Sequence, residues 1–349
     1  MRINIPPATR ALLLLTCFFS FVYAIARYNA TSQDTTGPQN PQYWSIPYLT
    51  LVPSKSIYNP WTILTSTFVE QNIVNFLVNT TAVYLSGRYL ERAWGSKDFS
   101  LVVLIAAVIP NLLVIPTYVL WGILMRNTTR ADTPITGAIT LQAAFLVAFK
   151  QLVPEHTVSL YKGLVKIRVK HFPAIFLLLN TIAGVVFGTD TALLLAWYGL
   201  ITTWIYLRFF KHQPELAGTG TGEARIRGDA SETFAFATFF PNVMQPPIAA
   251  VCDQVYILFC NLKVIEPFSD EAIASGNDQA AARGEGGLPT LMNQTRGARP
   301  MSKREEAERR RALALKALDE RLNAASNSAN IAAPSSLASQ EQTEQASGK

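Results

Sequence analysis

Six apolar runs dominate the sequence, and they leave little choice of solvent. They cover residues 11–26, 61–86, 99–125, 135–153, 172–188 and 191–210. A hydrocarbon core of about 30 Å takes roughly 20 apolar residues to cross as a helix. Inside it, only helices and closed barrels keep every backbone polar group bonded. The runs therefore predict an all-α membrane protein with six transmembrane helices in one bundle. A chain with 49% hydrophobic and 15% charged residues is also too apolar for an ordinary soluble domain. The first run is short. Arg2 and Arg10 precede it and Ala24-Ile-Ala26 closes it, the outline of a cleavable leader. Bulky Phe21 and Tyr23 beside the would-be cut favour a retained anchor.

Loop charges set the orientation. Arg2 and Arg10 precede run one, and Arg88, Arg92 and Lys97 lie between runs two and three. Lys150, Lys162, Lys166, Arg168 and Lys170 lie at or between runs four and five. The alternate loops hold only Arg27, Lys55, Arg126 and Arg130. This bias predicts both termini in the cytosol. It also accounts for the net charge of +6 without nucleic-acid binding. The basic face of Arg88, Arg92, Lys97, Lys162, Lys166, Arg168 and Lys170 suits anionic headgroups, at up to about 1 kcal/mol per residue. Topology alone requires most of those charges. The sequons at Asn29 and Asn127 fall on the luminal side, close to membrane boundaries. Three cysteines, Cys17, Cys252 and Cys260, suggest no disulfide framework, and no histidine or cysteine spacing suggests a metal. No cofactor is expected.

Residues 1–210 read as the transmembrane domain, 211–268 as a membrane-proximal cytosolic segment, and 269–349 as a largely disordered tail. Within the middle segment the run from Ile248 to Ile265 is broken by Asp253, Gln254 and Asn261. It reads as docking on the bundle or lying at the membrane surface. A short helix is expected near 303–322, where Leu315, Leu318 and Leu322 share a face. Val165 to Lys170 alternates apolar and basic residues, which suits an extended strip. Small residues repeat every four along run four (Thr136, Thr140, Ala144, Ala148), and Gly184 and Gly188 do so on run five, a pattern for close helix packing.

Run two carries the unusual polarity. Asn72, Asn75 and Asn79 fall at i, i+3 and i+7 and are predicted to share one helix face, just after Glu70. Polar groups at membrane depth normally point into a bundle or cavity, so this stripe is the candidate client-facing surface, with a purely structural interhelical hydrogen-bond network as the alternative. Beyond it the chain reads Gly87-Arg-Tyr-Leu-Glu-Arg-Ala-Trp-Gly95.

These stretches resemble the second transmembrane helix and following loop of rhomboid intramembrane proteases. That family's pattern runs Phe-Leu-His, four residues, His-x-x-x-Asn, then Gly-Arg-x-x-Glu-x-x-Trp-Gly. The frame fits without a gap, with Glu70 and Asn75 at the two histidine positions. The resemblance implies a six-helix rhomboid-like fold. It also locates the protease chemistry, a serine on run four and a histidine base on run six. Here Thr136 in Pro134-Ile-Thr-Gly137 matches the serine, and Trp197 in Ala196-Trp-Tyr-Gly199 matches the histidine. A hydroxyl needs a base to become a nucleophile, and an indole has a donor but no acceptor nitrogen. Thr136, Trp197, Asn75 and Glu70 are thus degenerate protease positions, and the expectation is a pseudoprotease with no catalytic residues.

Further stretches narrow the resemblance. They are Asn59-Pro-Trp-Thr-Ile-Leu-Thr65, Phe68-Val-Glu-Gln71, Gln142-Ala-Ala-Phe-Leu-Val-Ala148, Lys150-Gln-Leu-Val-Pro-Glu-His-Thr157, Gly163 to Pro173 and Phe236-Ala-Thr-Phe-Phe-Pro241. Together they are similar to the transmembrane protein 115 family, over residues 45 to 265. That resemblance implies a non-proteolytic multi-pass protein of the Golgi membrane acting in retrograde Golgi-to-endoplasmic-reticulum transport. It implies as partners the bilayer, membrane-protein clients and, through the C-terminal tail, the conserved oligomeric Golgi tethering complex. Two other classes stay open on the residues alone. One is a divergent intramembrane protease using Thr136; the other is a small-solute transporter or channel built around the asparagine stripe.

Overall fold

The computed structural model describes residues 5–33, 46, 48–126, 131–154, 156–160, 165–211 and 228–263, with scattered positions as far as 280. The chain divides into two units, Met1–Gly287 and Leu288–Lys349, and every described residue belongs to the first. The helix expected near 303–322 lies outside the described residues.

Six principal helices follow in order: α1 (Pro7–Gln33), α3 (Ile73–Trp94), α4 (Ser96–Leu124), α5 (Ile139–Leu152), α6 (Phe172–Phe187) and α7 (Asp190–Ile205). A four-residue helix, α2 (Thr62–Thr65), lies between the first two. Among the described residues four stretches are long and apolar enough to cross a bilayer: Pro7–Asn29, Ser96–Leu124, Val169–Phe187 and Asp190–Phe210. Helix α3 completes the set with Arg88, Glu91 and Arg92 near its C-terminus, and α5 completes it with 14 residues. The fold is an all-α membrane bundle, with one small exception. Thr157–Leu160 and Val165–Arg168 form an antiparallel hairpin in which Val158 opposes Ile167, as the apolar–basic alternation predicted.

Helix α5 is the hub. None of its residues is exposed, and it packs against α3, α4, α6 and α7. Its closest neighbour is α7, where a Cβ on Gly199 would stand 2.9 Å from the Thr140 Cα. Only glycine permits that approach. Thr140, Ala144 and Ala148 are buried as the four-residue spacing implied, whereas Thr136 precedes the helix. Gly184 likewise meets Leu193 of α7, at 2.8 Å from an added Cβ. Gly188 does something different: at φ +68° it is the left-handed cap that ends α6.

Phe99, Leu141 and Phe145 centre one apolar cluster, and Val147, Ala196 and Leu200 centre another. The outer faces are apolar as well. Leu14, Phe18, Phe21 and Ile25 on α1, and Leu178, Ile182, Val185 and Val186 on α6, are exposed, as lipid contact requires.

Helix ends gather at one level. Glu91 near the C-terminus of α3 bonds the N-terminus of α1. Lys211 beyond α7 covers Trp94 at the end of α3. Gln151 at the end of α5 and Arg208 beyond α7 both bond Asp229. Arg88, Arg92, Lys97, Arg168 and Lys170 belong to this end, called the basic end below. Helix α7 continues into it through a π-helical turn, Tyr206–Phe210, closed by Lys211 N–H on the Tyr206 carbonyl at 2.9 Å.

Candidate functional site

The single helix expected over 61–86 is two pieces. Residues 62–68 form α2 and a 3₁₀ turn, the chain is extended at Val69 (φ −96°, ψ 121°) and Asn72 (φ −114°, ψ 138°), and α3 begins only at Ile73. The break exists because Glu70 leaves the helical path. Its Oε1 accepts the Ala138 N–H at 2.8 Å at the N-cap of α5, and also the Asn79 side-chain amide. Asn79 Oδ1 in turn accepts the Gln142 amide of α5. The Glu70 N–H donates to Ser20 Oγ at 3.1 Å, which donates to the Phe68 carbonyl. Glu70 and Asn79 are 7% and 3% exposed, so this is a buried polar node linking α1, the 66–72 segment, α3 and α5. A carboxylate at a helix N-terminus satisfies an orphan N–H and complements the helix dipole.

The asparagine stripe is therefore corrected. Asn72 stands outside α3 and is exposed, Asn75 is exposed on the helix, and only Asn79 turns inward. Gln142, not Asn72 or Asn75, completes the interior network. It already lay in a quoted motif, four residues into the hub helix, but nothing in its spacing tied it to Glu70.

Thr136 lies in the irregular segment before α5, held by a bridge in which Leu51 and Ile135 exchange backbone bonds of 3.1 and 2.8 Å. Next to it Gly137, at φ +107°, gives its N–H to the Ser66 carbonyl. Trp197 points the other way. Its indole N–H donates to Thr181 Oγ1 on α6 at 3.1 Å. The α7 residues buried in the cluster with Ala143 and Val147 of α5 are Ala196 and Leu200. His156 and His171 stand past the far end of α5, separated from Thr136 by a helix of about 20 Å. His171 Nδ1 lies 3.4 Å from the Phe239 carbonyl.

The rhomboid-like motif after run two has a structural use for each residue. Gly87 lets α1 close in, with an added Cβ at 2.9 Å from Thr9 Cγ2. Glu91, 3% exposed, accepts from Ala8 N–H (2.9 Å), Thr9 N–H (2.6 Å), Thr9 Oγ1 (2.7 Å) and Ser96 Oγ (2.6 Å). Trp94 underlies the Lys211 ammonium, 3.2 Å from its ring centre. Gly95 turns the chain at φ +87°.

The basic end is covered from beyond the bundle. Gly228 to Phe240 folds back over the ends of α5 and α7. Arg208 Nη1 donates to the Asp229 and Ser231 carbonyls at 2.7 and 2.5 Å. Trp204 donates to the Phe234 carbonyl at 3.0 Å, and Gln151 to Asp229 Oδ2 at 2.9 Å. Lys150, read from sequence as a topological charge, is 1% exposed. Its ammonium sits 3.3 Å from the centre of the Phe239 ring and donates to Thr238 Oγ1 at 2.7 Å. The motif Phe236-Ala-Thr-Phe-Phe-Pro241 is thus the lid of a buried lysine. Of the expected basic face, Arg92, Lys97 and Arg168 are exposed and Arg88 and Lys170 half-buried. Lys162 and the Lys166 side chain lie outside the described residues.

A membrane bundle with this hub helix and this Gly-Arg-x-x-Glu-x-x-Trp-Gly corner is of the rhomboid-like class. The comparisons agree. The family described as "Eukaryotic integral membrane protein (DUF1751)" matches residues 10–324, and the chain belongs to it. Its relatives include Rhomboid-like protein 19 of Arabidopsis thaliana, 29% identical over 280 residues (80% of this chain, 81% of the relative). The Transmembrane protein 115 homolog of Saccharomyces cerevisiae is 30% identical over 290 residues (79% and 80%). Human Transmembrane protein 115 is 29% identical over 264 residues (75% and 67%).

Proposed function

We propose that this protein is a non-proteolytic rhomboid-like scaffold of the Golgi membrane, acting in retrograde Golgi-to-endoplasmic-reticulum transport. The basic end is its cytosolic face, as the positive-inside rule gives for Arg88, Arg92, Lys97, Arg168 and Lys170. Both termini are then cytosolic. The tail beyond 268 recruits tethering factors, and the conserved oligomeric Golgi complex is the partner that the family resemblance supplies. The bundle holds membrane-protein clients.

One observation carries the non-enzymatic half of this reading. At the position on α7 that matches the protease base, Trp197 gives its indole N–H to Thr181 on α6, and Ala196 beside it offers only a methyl. Neither side chain accepts a proton. Purified protein should leave helix-destabilised membrane substrates intact, and Thr136→Ala should match the wild type. Cleavage that Thr136→Ala abolishes would establish the divergent protease instead.

The trafficking half is tested by cross-linked pull-down from detergent-solubilised membranes, comparing the full chain with one ending at Phe268. That truncation spares the Gly228–Phe240 cover. Tethering subunits recovered with the full chain only support recruitment through the tail; recovery with neither counts against a tethering role.

A further inference from the structure

Beyond the Phe236–Phe240 cover lies α8 (Gln245–Asn261), a 17-residue helix with no buried residue. Its sides differ. Gln245, Ala249, Cys252, Tyr256 and Cys260, at i, i+4, i+7, i+11 and i+15, are partly covered. Val251, Val255, Leu258 and Leu262, at i, i+4, i+7 and i+11, form a stripe that is 64%, 45%, 55% and 62% exposed. Asp253 lies on the opposite side, and Gln254 and Asn261 form a polar edge bordering the stripe.

Both ends of α8 are tied at one level of the bundle. At its start, Gln245 Nε2 donates to the Phe240 carbonyl at 3.0 Å, in the segment whose Phe239 meets His171 just before α6. Three turns on, Tyr256 stacks beside Phe209 (6.3 Å) at the end of α7 and on Phe268 (6.2 Å), whose N–H it accepts at 3.0 Å. Arg208 covers the Phe268 ring at 5.1 Å. The start of α6 and the end of α7 both mark the basic end of the bundle. A helix fixed to both, over about 16 Å of its own length, runs across the bundle rather than along it. Lys263, left-handed at φ +56°, ends it there.

We propose that α8 is an in-plane membrane helix, seated in the headgroup–acyl boundary of the leaflet at the basic end. Val251, Val255, Leu258 and Leu262 enter the bilayer. The stripe is exposed at the basic end of the bundle, the level at which basic residues mark the headgroup boundary, so the bilayer is its occupant. An exposed four-residue aliphatic stripe beside a polar edge is the composition that binds at this depth, about 5–10 Å below the surface. The inference rests on the chain being a membrane bundle and not on the trafficking reading.

The test uses the full chain in phosphatidylcholine–phosphatidylserine nanodiscs. Cys17, Cys252 and Cys260 are replaced by alanine, and a nitroxide is placed singly at position 251, 255 or 258. A label at Asp253, on the opposite side, serves as the control. Collision with oxygen should exceed collision with a soluble nickel chelate several-fold at 251, 255 and 258, and the ratio should reverse at 253. Nickel-dominated collisions at the stripe would place α8 in water and overturn the proposal. Exclusion of both reagents would also overturn it, showing the stripe covered by protein, either a second copy or the chain's own tail. Because labelled positions are already exposed, folding is preserved, and unchanged monodispersity on gel filtration checks it.

Discussion

The two ends of α5 meet the same difficulty with opposite charges. At its start Glu70 accepts the Ala138 N–H, and at its finish Lys150 lies in the last turn, sealed by Phe239 and Thr238. Each group suits its own terminus, an acceptor for the free N–H at the start and a donor at the finish. What differs is the company. Glu70 is held by donors that belong to the helices themselves, in a network linking α1, α3 and α5. Lys150 is held by a segment some ninety positions downstream, through a ring face and one hydroxyl. The buried carboxylate is therefore framework, and the buried lysine is a docking point. A buried carboxylate that accepts several N–H groups cannot be removed without orphaning all of them. A buried ammonium that costs desolvation can be exchanged for an apolar chain at little net loss.

That contrast can be broken in four places. The largest effect is expected at Glu91, the acid that caps α1. Glu91→Ala orphans Ala8 N–H, Thr9 N–H and two hydroxyls, and should lower stability by about 4 kcal/mol, read as loss of monodisperse protein on heating in detergent. Retention of wild-type thermostability would show that α1 does not depend on this cap. Next, Glu70→Ala should cost about 3 kcal/mol, whereas Glu70→Gln, which keeps an acceptor for Ala138, should recover most of it. Equal losses would mean that charge, not hydrogen bonding, holds the node.

A smaller and more local effect is expected at Gly228. Its φ of +83° and an added Cβ at 2.2 Å from the Arg208 carbonyl exclude any side chain. Gly228→Ala should cost about 2 kcal/mol and expose 228–240 to protease while the bundle stays intact. Protection equal to wild type would show that the cover docks without that turn. The smallest change belongs to Lys150→Met, expected within about 1 kcal/mol of wild type. A loss as large as that of Glu70→Ala would erase the distinction between framework and docking point.

The sequence disclosed the helices because apolar runs of membrane length have few alternatives, and an extended strip at Val165 to Arg168 because the residues alternate, but not the strand it pairs with. It did not disclose the break before α3. Phe68-Val-Glu-Gln71 contains no glycine or proline, and the chain is extended there because a carboxylate seeks donors that lie 68 positions away, at Ala138. Asn72 leaves the face of Asn75 and Asn79 for that reason, because residues 61–86 are two pieces rather than one helix. Trp197 was legible as a non-base, yet its rotation toward Thr181 depends on where α6 packs. Lys150 looked like any basic residue at a span end, since its lid is encoded far downstream. Glu91 was quoted as a motif letter, and only the approach of α1 gives it a task.

The shortness of α5 has a further consequence. Fourteen residues rise about 21 Å, well under a hydrocarbon core of about 30 Å, while α3 and α4 beside it have 22 and 29 residues. A helix walled in by longer neighbours cannot adjust its mismatch against lipid by tilting or by thinning the bilayer. Ahead of it runs non-helical chain, residues 133–138, where Leu51 and Ile135, both wholly enclosed, supply each other's backbone bonds. Amides buried away from water survive only with such protein partners. The hub is thus lengthened by chain that is not helix, with Glu70 beside Gly137 where the two join.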